Sequence, residues 1–374
     1  MKELFIGLIS GTSIDAIDAV LVDFAQLPLR LLATHSEPIP AEIKLQLHEL
    51  CSPGPDEINR MGALDVQVGK LFATACQSLL QKTNISSNDI LAIGSHGQTI
   101  RHQPGFNHPF TLQIADPNVI AEMTGITTIA DFRRRDMASG GQGAPLVPAF
   151  HNYFFRSNNI DRVILNIGGI ANVTILPANP AAPITGFDTG PGNTLLDAWI
   201  RLQKNQACDI NGEWARSGTL NTKLLETLLS DNYFQQTPPK STGREYFNLT
   251  WLKEKLPAEI AAVDVQRTLT EFTARSILQA IKNFGPKSGQ ILLCGGGIHN
   301  RFLFECLQHN SNDYSLHSSS EFGIDPDWME AIAFAWLAKQ TLLGKPGNLP
   351  TVTGAKKAVI LGGIYKAGDL NTTA

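Results

Sequence analysis

Two segments of this chain share one plan: an apolar strand, a glycine turn and a second apolar strand. The first is "LFIGLISGTSIDAIDAVLVDF" at residues 4–24, and the second is "RVILNIGGIANVTIL" at residues 162–176. Apolar runs of strand length that are bounded by turn residues predict buried strands. Because one such unit stands near the start of each half, the repeat predicts a duplicated fold of layered α/β type.

The rest of the chain alternates strand and helix patterns. Apolar residues at helical spacing predict helices over 56–82, 194–203, 219–230, 264–284 and 329–340. A single core rarely extends over 374 residues, so we expect two domains, 1–135 with the tail 345–374, and 136–344. The segment 231–250 is rich in turn formers, which predicts a long loop over the surface or at a cleft mouth.

The composition is that of a globular protein without a basic surface. Of the 374 residues, 43% are hydrophobic and 17% are charged, and the formal net charge is −4. Nucleic-acid-binding domains normally carry a basic patch, so we expect no nucleic-acid partner. The five scattered cysteines form no CxxC pair, which favours reduced thiols in a cytoplasmic protein. We expect no secretory signal, and no apolar run approaches the ~20 residues that span a membrane.

Three glycine turns follow apolar strands. They are Gly11-Thr12-Ser13, Gly168-Gly169 and Gly295-Gly296-Gly297. Each alone fits an ordinary tight turn, since glycine is a common turn residue. Glycine also lets the main chain approach a phosphate, whose charge backbone N–H groups then neutralise. Three such turns favour a bound nucleotide, although none fits the Walker A or the dinucleotide pattern.

Two acids are candidates for catalysis. Asp188 lies in "GFDTGPGNTLLDAWI", between glycines and before a predicted helix start near Asn193. A carboxylate there can accept a proton while the helix N-terminus attracts an anion, although most Asp residues in such contexts form an Asx-turn or an N-cap. We interpret Asp197, inside the helix, as structural or as a residue that supports the site without touching the ligand. Glu330 begins a helix, where an acid is by default a favourable first-turn residue.

Two more motifs place polar side chains beside strands. In "DFRRRD", three arginines precede a glycine-rich loop. Arginine clusters usually mark a solvated face, but a functional arginine binds a carboxylate or phosphate bidentately. In "SHGQT", His96 and Gln98 lie in a loop after a strand. His96 fits either a hydrogen-bonded structural histidine or a substrate contact.

An ordered series of motifs gives the chain a family resemblance. The motifs are "GLISGTSIDAID", "SHGQT", "DFRRRD", "GGQGAPLVPAFH", "LNIGGIAN", "GFDTGPGN", "PKSTGREYFN", "MEAIAFAWLA" and "GNLPTVTGA". Over residues 4–363 they closely resemble the anhydro-N-acetylmuramic acid kinases, bacterial enzymes of peptidoglycan recycling in the sugar kinase, Hsp70 and actin superfamily. The resemblance implies two RNase H-like domains, with mixed sheets flanked by helices and a nucleotide cleft between them.

The resemblance also implies an unusual reaction. ATP and water convert 1,6-anhydro-N-acetylmuramic acid into N-acetylmuramic acid 6-phosphate. The anhydro bridge occupies O6, so an activated water must attack C1 before O6 can accept the phosphoryl group. We therefore expect ATP and Mg²⁺ as cofactors and a small amino sugar as substrate. A homodimer in the cytoplasm is also expected.

Site residues follow from the positions that match the family motifs. Asp188 matches the general base, and Glu330 matches an active-site neighbour. We expect His96 and Gln98 to contact the substrate, and Arg133 to bind the lactyl carboxylate. For the ATP phosphates, the first loop supplies Gly11, Thr12, Ser13, Ile14, Asp15, Ala16, Ile17 and Asp18, and the second supplies Gly168 and Gly169. Gly295, Gly296 and Gly297 are expected near the adenosine.

Three departures from the family pattern bear on these expectations. Ala16 stands where the family has glycine, and alanine disfavours positive φ, so the first loop should be less adaptable. Ala115 and Pro117 change the motif commonly written "IGDxN" into "IADPN". Ile9 takes the place of the aspartate that ends the first strand in the superfamily. We therefore name no metal ligand.

Two other functions remain open. A conventional sugar kinase would phosphorylate a free hydroxyl and transfer no water oxygen to C1. An ATP-dependent binding switch or sugar-sensing repressor of the same superfamily would need a further module. We expect neither the switch nor the repressor, because the chain starts with the first strand and no segment remains for a peptide-binding domain.

Overall fold

The computed structural model describes residues 2–368. Its strands are β1 Leu4–Ser10, β2 Ala16–Asp23, β3 Arg30–Pro38, β4 Ile90–Ser95, β5 Gln98–Gln103, β6 Phe110–Ile114, β7 Thr128–Ala130, β8 Arg162–Ile167, β9 Ile170–Leu176, β10 Thr185–Pro191, β11 Gly289–Cys294, β12 Tyr314–Ser318 and β13 Gly363–Tyr365. Its α-helices are α1 Ala41–Leu50, α2 Glu57–Gln81, α3 Pro117–Thr124, α4 Arg134–Ala138, α5 Val147–Phe155, α6 Thr194–Lys204, α7 Glu213–Arg216, α8 Thr222–Leu229, α9 Leu249–Lys253, α10 Ala262–Phe284, α11 Arg301–Asn310, α12 Met329–Leu342 and α13 Pro350–Thr353. Within the described part of the chain, no helix combines the length and apolar character needed to cross a membrane.

Two compact units make up the chain. Unit 1 contains the residues up to Phe150 and those from Trp328 onward, and unit 2 is His151–Asp327. These bounds differ from the predicted domains 1–135 with 345–374, and 136–344. Residues 369–374 of the predicted tail lie outside the described residues. The larger difference concerns α12, which was predicted for the C-terminal domain and belongs to unit 1.

Close backbone packing explains why α12 belongs to unit 1. It lies against β1 and β4, and each strand presents a glycine to it. A Cβ on Gly7 would overlap the carbonyl oxygen of Ala331, and a Cβ on Gly94 would overlap that of Phe334. Only glycine allows so close an approach of helix to strand. The contact joins residues more than 200 positions apart, so no local pattern predicts it.

Unit 1 is built on a six-stranded sheet in the order β13-β7-β4-β1-β2-β3. β1, β2 and β3 are antiparallel neighbours, whereas β4 runs parallel to β1 and β7 runs parallel to β4. The edge strand β13 is antiparallel to β7, and β5 and β6 form a separate antiparallel pair. β1 is buried along its whole length, as expected for a strand covered on both faces.

Unit 2 is built on a five-stranded sheet in the order β10-β9-β8-β11-β12. β10, β9 and β8 are antiparallel neighbours, and β11 and β12 continue parallel to β8. In both sheets three antiparallel strands are therefore followed by two parallel ones. The hairpins β1–β2 and β8–β9 occupy corresponding positions. This correspondence confirms the predicted duplication and the mixed α/β fold.

The segment 231–250 differs from its prediction. Residues 236–248 form neither helix nor strand, as expected for a loop. However, Tyr233, Phe234 and Phe247 are buried in an apolar cluster with α6, α8, α9 and α10. The segment is thus part of the interior of unit 2 and is not confined to the surface. Because prolines and polar residues dominate this segment, its composition did not indicate that its aromatic rings would be buried.

Candidate active site

The first glycine turn joins β1 to β2 in unit 1. Its backbone closes when the Ile14 N–H donates to the Gly11 carbonyl at 3.1 Å. Within residues 2–368, the N–H groups of Thr12 and Ser13 donate to no acceptor, and the buried Ser10 hydroxyl makes no hydrogen bond. Unused N–H and O–H donors in a tight turn are the chemistry that binds phosphate.

The departures from the family motifs have distinct structural outcomes. Ile14 has φ 54° and a buried side chain, whereas Ala16 begins β2 and has no positive φ. The loss of adaptability expected from Ala16 is therefore not found, because this position does not require a positive φ. Ala115 does take a positive φ, 126°, and Pro117 begins α3, where proline is well tolerated. A β-branched residue such as Ile14 in the left-handed region is strained, which is typical of functional turns.

His96 and Arg133 bind each other in unit 1, and Gln98 lies two residues after His96. His96 Nδ1 donates to the Gly97 carbonyl at 2.9 Å, so its Nε2 is an acceptor. Burial and the Arg133 charge hold the pKa of His96 well below its usual value, and the ring is neutral. Gln98 is buried and donates to the Thr99 carbonyl at 3.1 Å. Its buried Oε1 has no partner within the described residues and can accept a hydrogen bond.

A buried aspartate holds Arg133 in place. Arg133 donates to the Gly143 carbonyl at 2.9 Å, and the Gly143 N–H donates to Asp136 Oδ2 at 2.8 Å. The other Asp136 oxygen accepts from Asn348 Nδ2 at 2.6 Å and from Thr353 Oγ1 at 2.7 Å. Asp136 is fully buried. It therefore joins the motifs "DFRRRD", "GGQGAPLVPAFH" and "GNLPTVTGA" in one network.

Glu330 interacts with charges of the same unit. It lies in the first turn of α12. Loss of most surrounding water raises its pKa, the Arg133 charge lowers it, and the Asp18 charge raises it. Burial lowers the pKa of Arg133 to about 10, against the opposing effect of Glu330, so its guanidinium stays charged at neutral pH.

The second glycine turn, Gly168-Gly169, lies against the start of α6. Its carbonyl oxygens accept N–H groups from Gly192, Asn193 and Thr194 at 2.9 to 3.1 Å. These N–H groups are therefore not free for an anion, contrary to the expectation for this helix N-terminus. The N–H groups of Gly168 and Gly169 themselves have no acceptor within residues 2–368. The N–H groups available to an anion are thus those of the turn, and not those at the start of α6.

The third glycine turn follows β11 and packs against the end of β8. A Cβ on Gly295, which has φ 80°, would overlap Asn166 Oδ1, and a Cβ on Gly297 would overlap Ile167. Packing therefore requires glycine at both positions. A Cβ on Gly296 would meet no atom within 4 Å. Gly296 thus faces open space and is the one of the three that a ligand can approach.

Asp188 lies in β10, opposite Asn172 of β9, and is neither an Asx-turn nor a helix cap. Its Oδ2 accepts the Thr242 N–H at 3.0 Å. Burial raises the pKa of Asp188 to about 6, with the Thr242 N–H lowering it and the Glu245 charge raising it. A carboxylate with a pKa near neutrality is suited to accept a proton at physiological pH.

Asp197 and Arg244 flank the second turn. Burial raises the pKa of Asp197 to about 6, although the charges of Arg201 and Arg244 lower it. The guanidinium of Arg244 lies over the second turn, 3.2 Å from where a Gly169 Cβ would stand. Sequence reasoning missed Arg244 and Thr242, and the motif "PKSTGREYFN" was the signal that contained both.

The comparisons with known proteins identify the family. A family model described as anhydro-N-acetylmuramic acid kinase matches residues 3–367. This chain belongs to the anhydro-N-acetylmuramic acid kinase family. The anhydro-N-acetylmuramic acid kinase of Coxiella burnetii (strain Dugway 5J108-111) is 57% identical over 371 residues, covering 99% of each chain. That of Shewanella oneidensis is 54% identical over 368 residues, covering 98% of this chain and 99% of the relative.

Similarity to solved structures is much weaker. The activator of 2-hydroxyisocaproyl-CoA dehydratase from Clostridium difficile, solved with bound ADPNP, has a TM-score of 0.45 and 13% identity. The match covers 90% of this chain and 93% of that one. At this level the likeness carries no argument about activity. Membership of the anhydro-N-acetylmuramic acid kinase family makes this chain an enzyme, a kinase.

Proposed function

We propose that this chain uses ATP and water to convert 1,6-anhydro-N-acetylmuramic acid into N-acetylmuramic acid 6-phosphate. Water attacks C1 and gives a proton to the base, while the C1–O6 bond breaks. O6 then bonds to the γ-phosphorus, and the bond from that phosphorus to the bridging oxygen of ADP breaks. The observation that carries the proposal concerns the Asp188 carboxyl, because burial raises its pKa to about 6. The chain's membership of the family supports the same reaction.

Asp188 is the proposed general base. Its carboxylate has one acceptor site engaged by the Thr242 N–H, at 3.0 Å, and has further lone pairs for a water. The raised pKa increases its basicity, yet it remains ionised at neutral pH. Positioned proton transfer of this kind typically contributes ~10²–10⁴-fold to a rate.

Gln98 and Arg133 are the proposed contacts of the sugar, with His96 beside Arg133. The buried Oε1 of Gln98 offers an acceptor to a hydroxyl or amide of the substrate. His96 is neutral and both its ring nitrogens are engaged, so its proposed part is to orient Arg133. Arg133 keeps guanidinium N–H groups for the lactyl carboxylate, a group that arginine binds bidentately.

The three glycine turns are the proposed ATP contacts. Residues 11–18 and Gly168-Gly169 would donate N–H groups to the phosphates, and Gly295 to Gly297 would approach the adenosine. The free N–H groups of Thr12, Ser13, Gly168 and Gly169 support this assignment. The open space beside Gly296 supports the third.

Mg²⁺ would accompany the ATP phosphates. No group of three or more His, Cys, Asp or Glu side chains in residues 2–368 is arranged to hold a metal ion. Mg²⁺ in such sites is usually held by one or two carboxylates together with substrate phosphates. The interacting carboxylates of Asp18 and Glu330 fit that donor set. When bound there, the ion neutralises charge on the transferred phosphoryl group.

Oxygen labelling tests the proposal directly. The enzyme is incubated with ATP, Mg²⁺ and 1,6-anhydro-N-acetylmuramic acid in ¹⁸O-water, and the sugar product is analysed by mass spectrometry. We expect one phosphoryl group on O6 and one labelled oxygen at C1. A sample of unlabelled product, kept in the same water for the same time, corrects for exchange at C1.

The same experiment separates the alternatives. A conventional sugar kinase would phosphorylate a free hydroxyl and leave C1 unlabelled. An ATP-dependent binding switch would release phosphate from ATP without changing the mass of the sugar. Either result would contradict the proposed reaction.

A cytoplasmic homodimer is proposed on two grounds. All five cysteines are free, which fits a reducing compartment. The dimer rests on the family resemblance, and light scattering on the purified protein tests it. A mass equal to one chain over a range of concentrations would exclude it.

A further inference from the structure

One short segment of unit 2, residues 233–242, holds three different groups of Asp188. The Tyr233 hydroxyl donates to the Asp188 carbonyl at 2.7 Å. The Asp188 N–H donates to the Lys240 carbonyl at 3.2 Å, and the Thr242 N–H donates to the Asp188 carboxylate at 3.0 Å. Both the main chain and the side chain of Asp188 are thus oriented by this segment.

The sheet by itself orients Asp188 incompletely. The register between β10 and β9 shifts between Asp188 and Gly190, so Thr189 has no directly paired residue. At such a bulge the regular ladder of hydrogen bonds is interrupted and the strand bends. The bond from the Tyr233 hydroxyl reaches the Asp188 carbonyl at this interruption. It therefore fixes the peptide plane that the ladder leaves less constrained.

Packing determines where the Tyr233 hydroxyl lies. The side chain is 3% exposed and has edge contacts with Phe234 and Phe247 at 5.6 and 5.5 Å. The Lys240 ammonium lies 4.7 Å from its ring centre and donates to the Tyr233 carbonyl at 3.3 Å. Asp231 accepts the Tyr233 N–H at 3.0 Å. A ring held at so many points presents its hydroxyl rigidly.

We propose that Tyr233 is a positioning residue for the general base of the reaction. Its hydroxyl sets the orientation of the Asp188 peptide, and through it the direction in which the carboxylate meets the attacking water. The inference rests on the proposed role of Asp188. Small errors in the direction of a catalytic group lower the rate steeply, while substrate binding is little affected.

Tyr246 supplies a matched control. It lies four residues beyond that segment, and its hydroxyl donates to Asp231 at 2.7 Å. It contacts the ring of Tyr233 but makes no bond to Asp188. Tyr233→Phe and Tyr246→Phe each remove one hydroxyl. Only the first removes a bond to the base.

The experiment compares kcat and KM of the full-length variants, with active sites counted by ATP binding. For Tyr233→Phe we expect kcat to fall about tenfold, the effect of losing ~1.4 kcal/mol in the transition state, with both KM values within about twofold. Tyr246→Phe should have the same kcat as the unmodified enzyme. Lys240→Met keeps the side-chain bulk, removes the bond to the Tyr233 carbonyl, and should lower kcat by a smaller factor. It serves as the second variant if Tyr233→Phe folds poorly.

A double substitution distinguishes positioning from general support of the fold. If Tyr233 acts only through Asp188, adding Tyr233→Phe to Asp188→Asn should not change the residual rate. A further tenfold loss in that background would overturn the inference. So would an unchanged kcat in both Tyr233→Phe and Lys240→Met. Failure of the unmodified enzyme to label C1 would instead refute the proposed function itself.

Discussion

Arg133 donates two guanidinium N–H groups to one nitrogen of His96, at 3.0 and 2.9 Å, and a third to the Gly143 carbonyl at 2.9 Å. Arginine has five N–H donors, so two remain for a ligand. Two donors are what a carboxylate needs for a bidentate interaction. The arrangement presents Arg133 as a pre-oriented group, and burial together with the Arg133 charge keeps His96 neutral by lowering its pKa.

Arg133→Met should therefore weaken recognition of the lactyl group selectively. The measurement is kcat/KM for the anhydro sugar and for the analogue that lacks the lactyl group. We expect the preference for the lactyl-bearing sugar to fall at least about tenfold, because a charge-assisted bidentate contact is lost. Arg135→Met, at an exposed neighbouring position, should keep the preference. Equal losses on both sugars would show that Arg133 does not hold the carboxylate.

Asp188→Asn should fold and bind ATP yet lose nearly all turnover. Removing a general base typically lowers a rate ~10²–10⁴-fold. The pH profile provides the second measurement: because the pKa of Asp188 is about 6, kcat/KM of the unmodified enzyme should fall below that pH as the carboxylate is protonated.

Asp197→Asn is the control for this pH dependence. Burial raises the pKa of Asp197 to about 6 as well, so both acids titrate in the same range. If Asp188 is the base, Asp197→Asn keeps the acidic limb near pH 6. Loss of the limb in Asp197→Asn, with near-normal turnover in Asp188→Asn, would transfer the base role to Asp197.

The raised pKa of Asp188 also predicts a stability effect. A group whose pKa is higher in the folded than in the unfolded state stabilises the fold when protonated, and that stabilisation is lost as pH rises through the folded pKa. Asp188 changes from 3.8 to about 6, a difference equivalent to roughly 3 kcal/mol. Asp188→Asn should therefore be more stable than the unmodified protein at pH 8, and the two should be equally stable at about pH 3, below the unfolded pKa of 3.8. Denaturant unfolding at both pH values measures it.

Asp231→Asn should show the opposite sign. Its pKa is lowered: burial raises it, but hydrogen bonds from Tyr233, Tyr246 and Trp251 and the Lys255 charge outweigh that effect. Such a group stabilises the fold above its unfolded pKa, and the stabilisation is lost as pH falls through the folded pKa. The variant should be less stable than the unmodified protein at pH 8. The same sign for both variants would contradict the assigned shifts.

Gly7→Ala should strongly destabilise unit 1. The added methyl would overlap the carbonyl oxygen of Ala331, a backbone atom that cannot move aside alone. We expect a loss of about 3 kcal/mol in the free energy of unfolding, the upper range for overpacking. Gly62→Ala, at an exposed position in α2 with no atom within 4 Å, should instead stabilise by up to about 1 kcal/mol. Thermal unfolding of both variants measures the difference.

Gly11→Ala tests the first turn as a phosphate site. A Cβ on Gly11 would meet no atom within 4 Å, so the fold should accept alanine. A phosphate held by the turn would meet that methyl, and we expect the Kd for ATP to rise at least about tenfold with Tm unchanged. Gly105→Ala, also in open space, should leave the Kd unchanged. Equal ATP affinity in both variants would exclude close phosphate contact at Gly11.

The local elements were predictable from the sequence. The helix predicted over 56–82 is Glu57–Gln81, and the repeated hairpins are β1–β2 and β8–β9. The two hairpins occupy corresponding places in the two sheets, and the same pattern of apolar runs around a glycine turn indicated both. Periodicity and turn chemistry act over a few residues, so they can be read directly from neighbouring positions.

The partners of the site residues were decided only by the tertiary structure. Asp188 meets Tyr233 and Thr242, whose segment predicts only a loop. Arg133 meets His96, and α12 joins unit 1 through the close approach at Gly7. A hydrophobic or polar pattern shows which face of an element is buried, but it does not specify the distant segment that covers that face. The pKa of Asp188 depends on such a distant segment. Residues far along the chain exclude water from the carboxyl, and one of them, Thr242, donates its N–H to it.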